Sequence, residues 1–276
     1  MSHDPEQALR DARRQLEVAG SPSPARDASA LMDLVQGDAP PWTPLTDDQM
    51  THLNRLIQRR ARREPISHII GKRAFWMHEF EVTPDVLDPR PDTETLVEAA
   101  LAQPFGTVLD LGTGSGCILL SLLHERPTAR GIGTDISEAA LAVARRNADR
   151  VGVADRVDWV VSDWFSAVTG TFDIIVSNPP YIAKAEMPDL APELGFEPRG
   201  ALTDEADGLT AYRTIASGAA DYLVPGGRLL VEIGPTQGAA VMALFTAAGF
   251  ADVTIHPDLD GRDRVVSGVI LPQTDP

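Results

Sequence analysis

Two short runs in this sequence hold the residue types best suited to chemistry. The first is Asp110-Leu111-Gly112-Thr113-Gly114-Ser115-Gly116, which follows the apolar stretch Thr107–Leu109. Glycines at alternate positions let a backbone turn tightly and pass close beneath a ligand, where a Cβ would collide. The second is Ser177-Asn178-Pro179-Pro180-Tyr181, which follows the apolar run from Phe172. It fits the activation of a planar nitrogen. An amide nitrogen is a poor nucleophile because its lone pair is delocalised into the carbonyl, and it carries two hydrogens. If the Asn178 side-chain oxygen and the Pro179 backbone carbonyl each accept one of them, the lone pair is left aimed at an alkyl donor. Pro180 keeps residue 179 out of helical geometry, and Tyr181 offers an aromatic face for the planar group. Such a site would act by positioning, with reacting atoms about 3–3.5 Å apart, and would need no strong base.

Which donor the glycine loop serves depends on its neighbours. A bare structural turn, a dinucleotide site and an S-adenosylmethionine site all begin this way. The dinucleotide fingerprint places its third glycine one residue later, where this chain has Cys117. Asp110 and Asp135 end the first two predicted strands, where a carboxylate can accept ribose hydroxyls. Asp163 and Trp164 follow the third, where a carboxylate and an indole could hold an adenine by its amino group and its face. So acidic a setting suits a cationic sulfonium better than an anionic pyrophosphate. Taken singly, Asp135 also reads as a loop carboxylate, Trp164 as a packed loop aromatic and residues 178–181 as a rigid turn.

The elements that must position these residues show in the apolar patterning. Strand-length runs at Thr107–Leu111, Gly131–Thr134, Val157–Val161, Phe172–Ser177 and Arg228–Ile233 alternate with helical patterns at Ser115–Glu125, Glu138–Val151, Leu209–Leu223 and Thr236–Ala248. This alternation predicts an α/β fold, a parallel sheet with helices on both faces. Two last runs, Asp252–His256 and Arg264–Ile270, are too close for a helical crossover and should pair antiparallel. Upstream, Phe75–Trp76 and Phe80–Val82 read as a hairpin. Asp92 is placed to cap a helix carrying Leu96, Val97, Ala100 and Leu101.

Before residue 64 the periodicity is helical throughout: Ala8 to Ala19, Ala28 to Val35, and a third run opened by Thr46 and Gln49 as a capping box. That third helix ends in Arg59, Arg60, Arg62 and Arg63. They are either a solvated helix end suited to the macrodipole or a docking patch for an acidic partner. The predicted organisation is a helical docking domain over 1–72, a hairpin linker over 73–90 and a catalytic domain over 91–276.

Composition narrows the partners. The 276 residues carry a net charge of −16, with 12 Lys and Arg against 14 Asp and Glu in residues 1–90 and 12 against 26 in the remainder. Repulsion from phosphates argues against sequence-specific nucleic-acid binding by the whole face. The polar first ten residues lack a signal-peptide core, and no apolar run is long enough to span a membrane. The single cysteine fits a reducing compartment, so a cytoplasmic location is expected. The six histidines show no metal-ligand spacing, and no metal is expected.

The loop Gly112-Thr113-Gly114-Ser115-Gly116, Asp135, Ser162-Asp163-Trp164-Phe165 and Asn178–Tyr181, with Pro89-Arg90-Pro91-Asp92-Thr93-Glu94 upstream, resemble the HemK-type release-factor glutamine methyltransferases. Phe196–Arg199, Ala201-Leu202 and Asp207-Gly208-Leu209 are similar too, so the likeness spans roughly residues 65–270. It implies a class I, Rossmann-like methyltransferase sheet with a small N-terminal helical domain. It also implies S-adenosyl-L-methionine as cofactor and, as substrate, the glutamine of the Gly-Gly-Gln loop in class I peptide chain release factors. By matched position Gly112–Gly116, Asp135, Asp163 and Trp164 would bind the cofactor. Asn178 would touch cofactor and glutamine, and Asn178, Pro179, Pro180 and Tyr181 would form the catalytic clamp. Asp88 departs from the family, which has an aliphatic residue there. A ribosomal-protein glutamine methyltransferase would share nearly every motif. An adenine-N6 nucleic-acid methyltransferase faces the same lone-pair problem, but the net charge and the lack of a base-recognition module speak against it. A cofactor-binding protein without turnover is the non-enzymatic alternative.

Overall fold

The computed structural model describes residues 2–271, which divide into two compact units. Unit 1 comprises Met1–Lys72 together with the short segment Ala191–Phe196; unit 2 comprises Arg73–Leu190 and Glu197–Pro276.

Unit 1 contains β1 (Ser2–His3), α1 (Pro5–Val18), α2 (Pro24–Gln36), β2 (Leu45–Thr46), α3 (Asp47–Ala61) and α4 (Ile66–Ile70). β1 pairs antiparallel with β2, a contact too short to leave a periodic signal in sequence. α1 opens on Asp4, whose carboxylate accepts from the Glu6 N–H at 3.1 Å. α3 opens on the expected capping box, with Gln49 N donating to Thr46 Oγ1 (3.2 Å) and Thr46 N donating to Gln49 Oε1 (3.0 Å). The apolar stripes of the three long helices, including Ala12, Leu16, Leu31, Leu53 and Ile57, meet in one buried cluster.

The arginines at the end of α3 are neither a solvated end nor an open patch. Arg60 is buried and donates from Nε to Asp27 at 2.6 Å and from Nη1 to Glu193 at 3.2 Å. Arg63 grips both Glu193 oxygens, each at 2.8 Å, and Arg59 pairs with Glu64. Arg62 is exposed. Glu193 belongs to the segment that joins unit 1 from 130 residues further along the chain.

Unit 2 begins with the hairpin β3 (Lys72–Phe75) and β4 (His78–Glu81). A 3-10 turn at Pro91–Thr93 leads into α5 (Glu94–Leu101). Asp92 does not cap that helix; its carboxylate lies 3.1 Å from Arg264 instead. Then follow β5 (Thr107–Leu111), α6 (Cys117–Glu125), β6 (Arg130–Asp135), α7 (Glu138–Val151), β7 (Val157–Val161), β8 (Phe172–Ser177), α8 (Arg199–Leu202), α9 (Thr210–Ala219), β9 (Leu223–Glu232), α10 (Gly238–Ala247), β10 (Ala251–Pro257) and β11 (Asp263–Val269).

Strands β5 to β11 form one sheet in the order β10-β11-β9-β8-β5-β6-β7. β7, β6, β5, β8 and β9 run parallel, and β11 and β10 join antiparallel at one edge, as the short final spacing requires. Leu109, Leu111, Ile174, Ile175, Val176, Leu229 and Val231 are wholly buried, as in a sheet covered on both faces. The chain winds outward from β5 through β6 to β7, then returns to place β8 on the other side of β5. The carboxyl ends of β5 and β8 therefore flank the point where the winding reverses, which is where ligands settle in open α/β sheets. The glycine loop leaves one of those ends and Asn178 leaves the other.

Candidate active site

A cavity of about 520 Å³ opens over the carboxyl ends of the strands, lined wholly by residues of unit 2. Four successive loops supply its walls: Gly112–Ser115 after β5, Asp135–Ser137 after β6, Ser162–Trp164 after β7, and Asn178 with Pro180 after β8. Of the residues singled out in the sequence, Gly112, Thr113, Gly114, Ser115, Asp135, Asp163, Trp164, Asn178 and Pro180 face it together, while Gly116, Pro179 and Tyr181 are not part of its wall.

The glycine loop is held from two sides. Gly112, Gly114 and Gly116 have φ of +70°, +55° and +81°, in the region that side chains disfavour. The Gly114 N–H donates to Asp135 Oδ2 at 2.9 Å, and the other Asp135 oxygen accepts from Ser137 N–H at 2.9 Å. Gly116 has a separate reason to be glycine. A Cβ there would lie 3.0 Å from Leu120 of α6 and 3.3 Å from Trp159 of β7, so its bare Cα lets helix pack on sheet. Asp110 is fully buried; its Oδ2 accepts from the Thr113 hydroxyl at 2.6 Å, while Oδ1 has no hydrogen-bond partner. Burial pushes its pKa up to about 7 and raises that of Asp135 as well.

The third loop is strained. Trp164 has φ of +49°, uncommon for a bulky residue, and the Ser162 hydroxyl donates to its carbonyl at 2.7 Å. Asp163 beside it is exposed. Ser177, at the end of β8, donates its hydroxyl to the Leu111 carbonyl at 2.7 Å and ties the roots of the first and fourth loops together. Asn178 is half-buried, and its Nδ2 donates to the Thr93 hydroxyl at 3.3 Å. Pro179 is buried, and the Tyr181 carbonyl accepts from Gln237 Nε2 at 2.9 Å. That glutamine also donates to the Gly208 carbonyl at 3.2 Å and accepts from Gly234 N–H at 3.0 Å. Residues 178–181 are thus clamped from the 3-10 turn before α5 and from the loop before α10.

The charge of the cavity discriminates between ligands. Asp85, Asp88, Asp135, Asp163, Asp204 and Glu205 line it against a single cation, Arg90, which is already paired with Glu197. A pyrophosphate would meet net repulsion here; a cationic nucleoside would not. Asp88 is buried, with Oδ2 3.8 Å from Arg73 and 4.0 Å from Arg90, so the unusual charge is balanced by its flanking guanidiniums. Among the described residues no group of His, Cys, Asp and Glu could hold a metal ion, and no helix is long and apolar enough to cross a membrane.

Comparison with known proteins agrees with this geometry. Residues 87–205 match the methyltransferase small domain model, and residues 7–71 match the PrmC N-terminal domain. The release factor glutamine methyltransferase of Cereibacter sphaeroides is 54% identical over 95% of this chain and 91% of its own. That of Caulobacter vibrioides is 44% identical over 96% of each. The chain belongs to the release factor glutamine methyltransferase family. Its class I methyltransferase fold also appears in a methyltransferase from Pyrococcus furiosus, at 19% identity and a TM-score of 0.57, covering 78% of this chain and 99% of that one.

Several residues of this family member's site went unread in the sequence. Ile136 is 72% exposed yet lines the cavity next to Asp135, a large apolar side chain placed to cover a flat ligand face. The signal was an isoleucine directly after a strand-ending aspartate. Thr93 and Gln237 hold the Asn178–Tyr181 loop from two separate elements. No local spacing connects them to it.

Proposed function

We propose that this chain transfers the methyl group of S-adenosyl-L-methionine to the side-chain amide nitrogen of the glutamine in the Gly-Gly-Gln motif of class I peptide chain release factors. The observation that carries the reading is the 54% identity, across nearly the whole chain, to a relative of that name. The acidic cavity beside Asn178 supports it independently. When bound, the cofactor supplies an electrophilic methyl group on a sulfonium. The chain's own residues do the rest. Gly112–Ser115 seat the nucleoside, with Asp135 facing its ribose and Asp163 and Trp164 its base. The Asn178 amide keeps Oδ1 for a substrate N–H, because Nδ2 is occupied by Thr93. The Pro179 carbonyl takes the second N–H, and Pro180 and Tyr181 stiffen the loop around the planar amide. Catalysis is then alignment for in-line transfer, with the proton lost to solvent as the nitrogen is alkylated.

The partner is a protein, encountered outside any membrane, and the expected location is cytoplasmic. The test is incubation of the protein with methyl-labelled cofactor and a purified release factor, with and without Gln→Ala in the tripeptide. Label on the wild-type factor alone is expected; equal label on both would end the proposal. Asn178→Ala should lower kcat by roughly 10²-fold or more, the scale of a lost transition-state hydrogen-bond partner, while cofactor Kd measured by calorimetry changes little.

A further inference from the structure

Two walls of the cavity come from distant parts of the chain: the glycine loop after β5, and the segment Asp85–Asp88 that follows the hairpin. One buried side chain on α7 touches both. Asn147 Nδ2 donates to the Ser115 carbonyl at 2.9 Å and to the Glu81 carbonyl at 3.1 Å. Its Oδ1 accepts from the Glu81 N–H at 2.7 Å. Asn147 is 0% exposed. Glu81 is the last residue of β4, and the chain leads from it into the Asp85–Asp88 wall.

The partners dictate the residue type. Backbone groups have fixed roles, so the two carbonyls require donors and the N–H requires an acceptor. A primary amide carries both at one branch point, and these partners also fix which way round it sits. A carboxylate could meet only the N–H. A hydroxyl has one proton for two carbonyls, and an aliphatic side chain would leave all three groups unpaired. α7 fastens the same joint from outside. Arg146 and Arg150 reach the Glu81 carboxylate at 2.7 and 3.3 Å, and Val82 and Val86 pack with Ala140 and Val143. Both arginines are half exposed, which leaves those ion pairs weak. The buried amide is the stronger fastening.

We propose that Asn147 is a positioning residue for the cofactor: it holds the glycine loop and the Asp85–Asp88 wall at one separation, so that the nucleoside meets a preformed seat. This rests on the reading of the cavity as the S-adenosyl-L-methionine site and adds to it the residue that sets the spacing of two walls. Without the amide, the Ser115 carbonyl and both Glu81 backbone groups turn toward other partners, and binding has to draw the walls back together. The hydrogen bonds of Asn147 go to Ser115 and Glu81, not to residues 178–181. Affinity for the cofactor should therefore depend on Asn147, and the transfer step should not.

The experiment uses the full chain, with calorimetry of S-adenosyl-L-methionine and turnover on a purified release factor. Asn147→Leu keeps the volume and removes the amide. Cofactor Kd should rise roughly tenfold or more, the scale of buried backbone groups left unpaired, with kcat at saturating cofactor little changed. Asn147→Asp gives a chemical signature. Its buried carboxyl would face two carbonyls and be driven toward the neutral form, which alone can donate to one of them. The ratio of its Kd to the parent's should therefore fall as pH falls. The ratio is read because the raised Asp110 and Asp135 titrate in both proteins. An unchanged Kd in Asn147→Leu, even beside a lower Tm, overturns the proposal. So does a loss of kcat as large as the loss of affinity, or a Kd ratio for Asn147→Asp that ignores pH. If Asn147→Leu does not fold, amide hydrogen exchange in the unaltered protein decides. Cofactor should slow the Glu81 N–H more than the amides of β10 at the sheet edge, and equal slowing overturns the proposal. A parent that does not bind S-adenosyl-L-methionine sinks the cofactor reading itself, whereas tight binding in parent and variants alike sinks only the positioning role.

Discussion

The molecule buries charge in two places and treats it in opposite ways. In unit 1, Arg60 lies between Asp27 and Glu193 while Arg63 grips both Glu193 oxygens. There the carboxylates face guanidiniums. Burial pushes Glu193 upward, but hydrogen bonds from Arg63 and Arg60 prevail and hold it below the usual carboxylate range. In unit 2, Asp110 and Glu232 are buried as deeply, yet each keeps an oxygen without a hydrogen bond, and burial lifts both to about 7. The first cluster is closed and serves the fold. The second leaves acceptor capacity beside the cavity, at the cost of a carboxylate that the fold would rather see protonated. Burial alone does not tell the two settings apart; the partners that meet the buried carboxylate do.

The largest effect should come from opening the closed cluster. Arg60→Ala leaves Asp27 buried without its main partner and should destabilise the protein by about 3–5 kcal/mol, read as a shift of the denaturant midpoint. Replacing Arg60 and Asp27 together with apolar residues of similar size should recover much of that loss. A cost below ~1 kcal/mol for Arg60→Ala would mean that the network is not a structural unit.

Next comes a contrast in pH dependence. Asp110 is raised above its unfolded value, so its stabilising contribution is fully present below the ordinary carboxylate range and is lost as pH rises through about 7. Glu193 is lowered, so its contribution is present above that range and is lost as pH falls through its folded value. Asp110→Asn should therefore raise Tm at pH 8, by a stabilisation of roughly 1–3 kcal/mol after the new amide's own desolvation. The gain should shrink as pH falls and vanish only below the ordinary carboxylate range, while cofactor affinity is weakened. Glu193→Gln should lower Tm at pH 8 and converge with the parent in acid. Identical pH profiles for the two variants would erase the distinction. Asp135→Asn is expected to act on binding alone. Cofactor Kd should rise roughly tenfold, on the scale of one charge-assisted hydrogen bond, and thermal unfolding of the free protein should move little.

These contrasts mark where the sequence was legible. The parallel strands stood out because wholly buried strands are continuous apolar runs, and the capping box at Thr46 and Gln49 is a local rule with a fixed offset. The cavity was foreseeable because every loop that builds its floor leaves the carboxyl end of a strand with an identifiable pattern. What stayed hidden was long-range. Nothing near Arg60 or Arg63 points to Glu193, and the short segment that carries it gave no sign of belonging to unit 1. Asp92 sits where a cap should, but pairing with Arg264 drew it away. Thr93 and Gln237 come to the Asn178–Tyr181 loop from distant parts of the chain, with no local spacing to announce it.

The smallest expected effect is the sharpest test of the arginine cluster. Arg62 is exposed and lies beside the closed network. If the cluster exists to hold Glu193, Arg62→Ala should change stability by less than about 0.5 kcal/mol and leave kcat and KM for the release factor unaltered. If the end of α3 also receives an acidic surface of the partner, the same variant should raise KM with kcat intact, and the increase should shrink as salt screens the contact. A salt-dependent KM effect at Arg62, with none on Tm, would turn a structural cluster into a docking one. A silent Arg62 would confine its role to the fold.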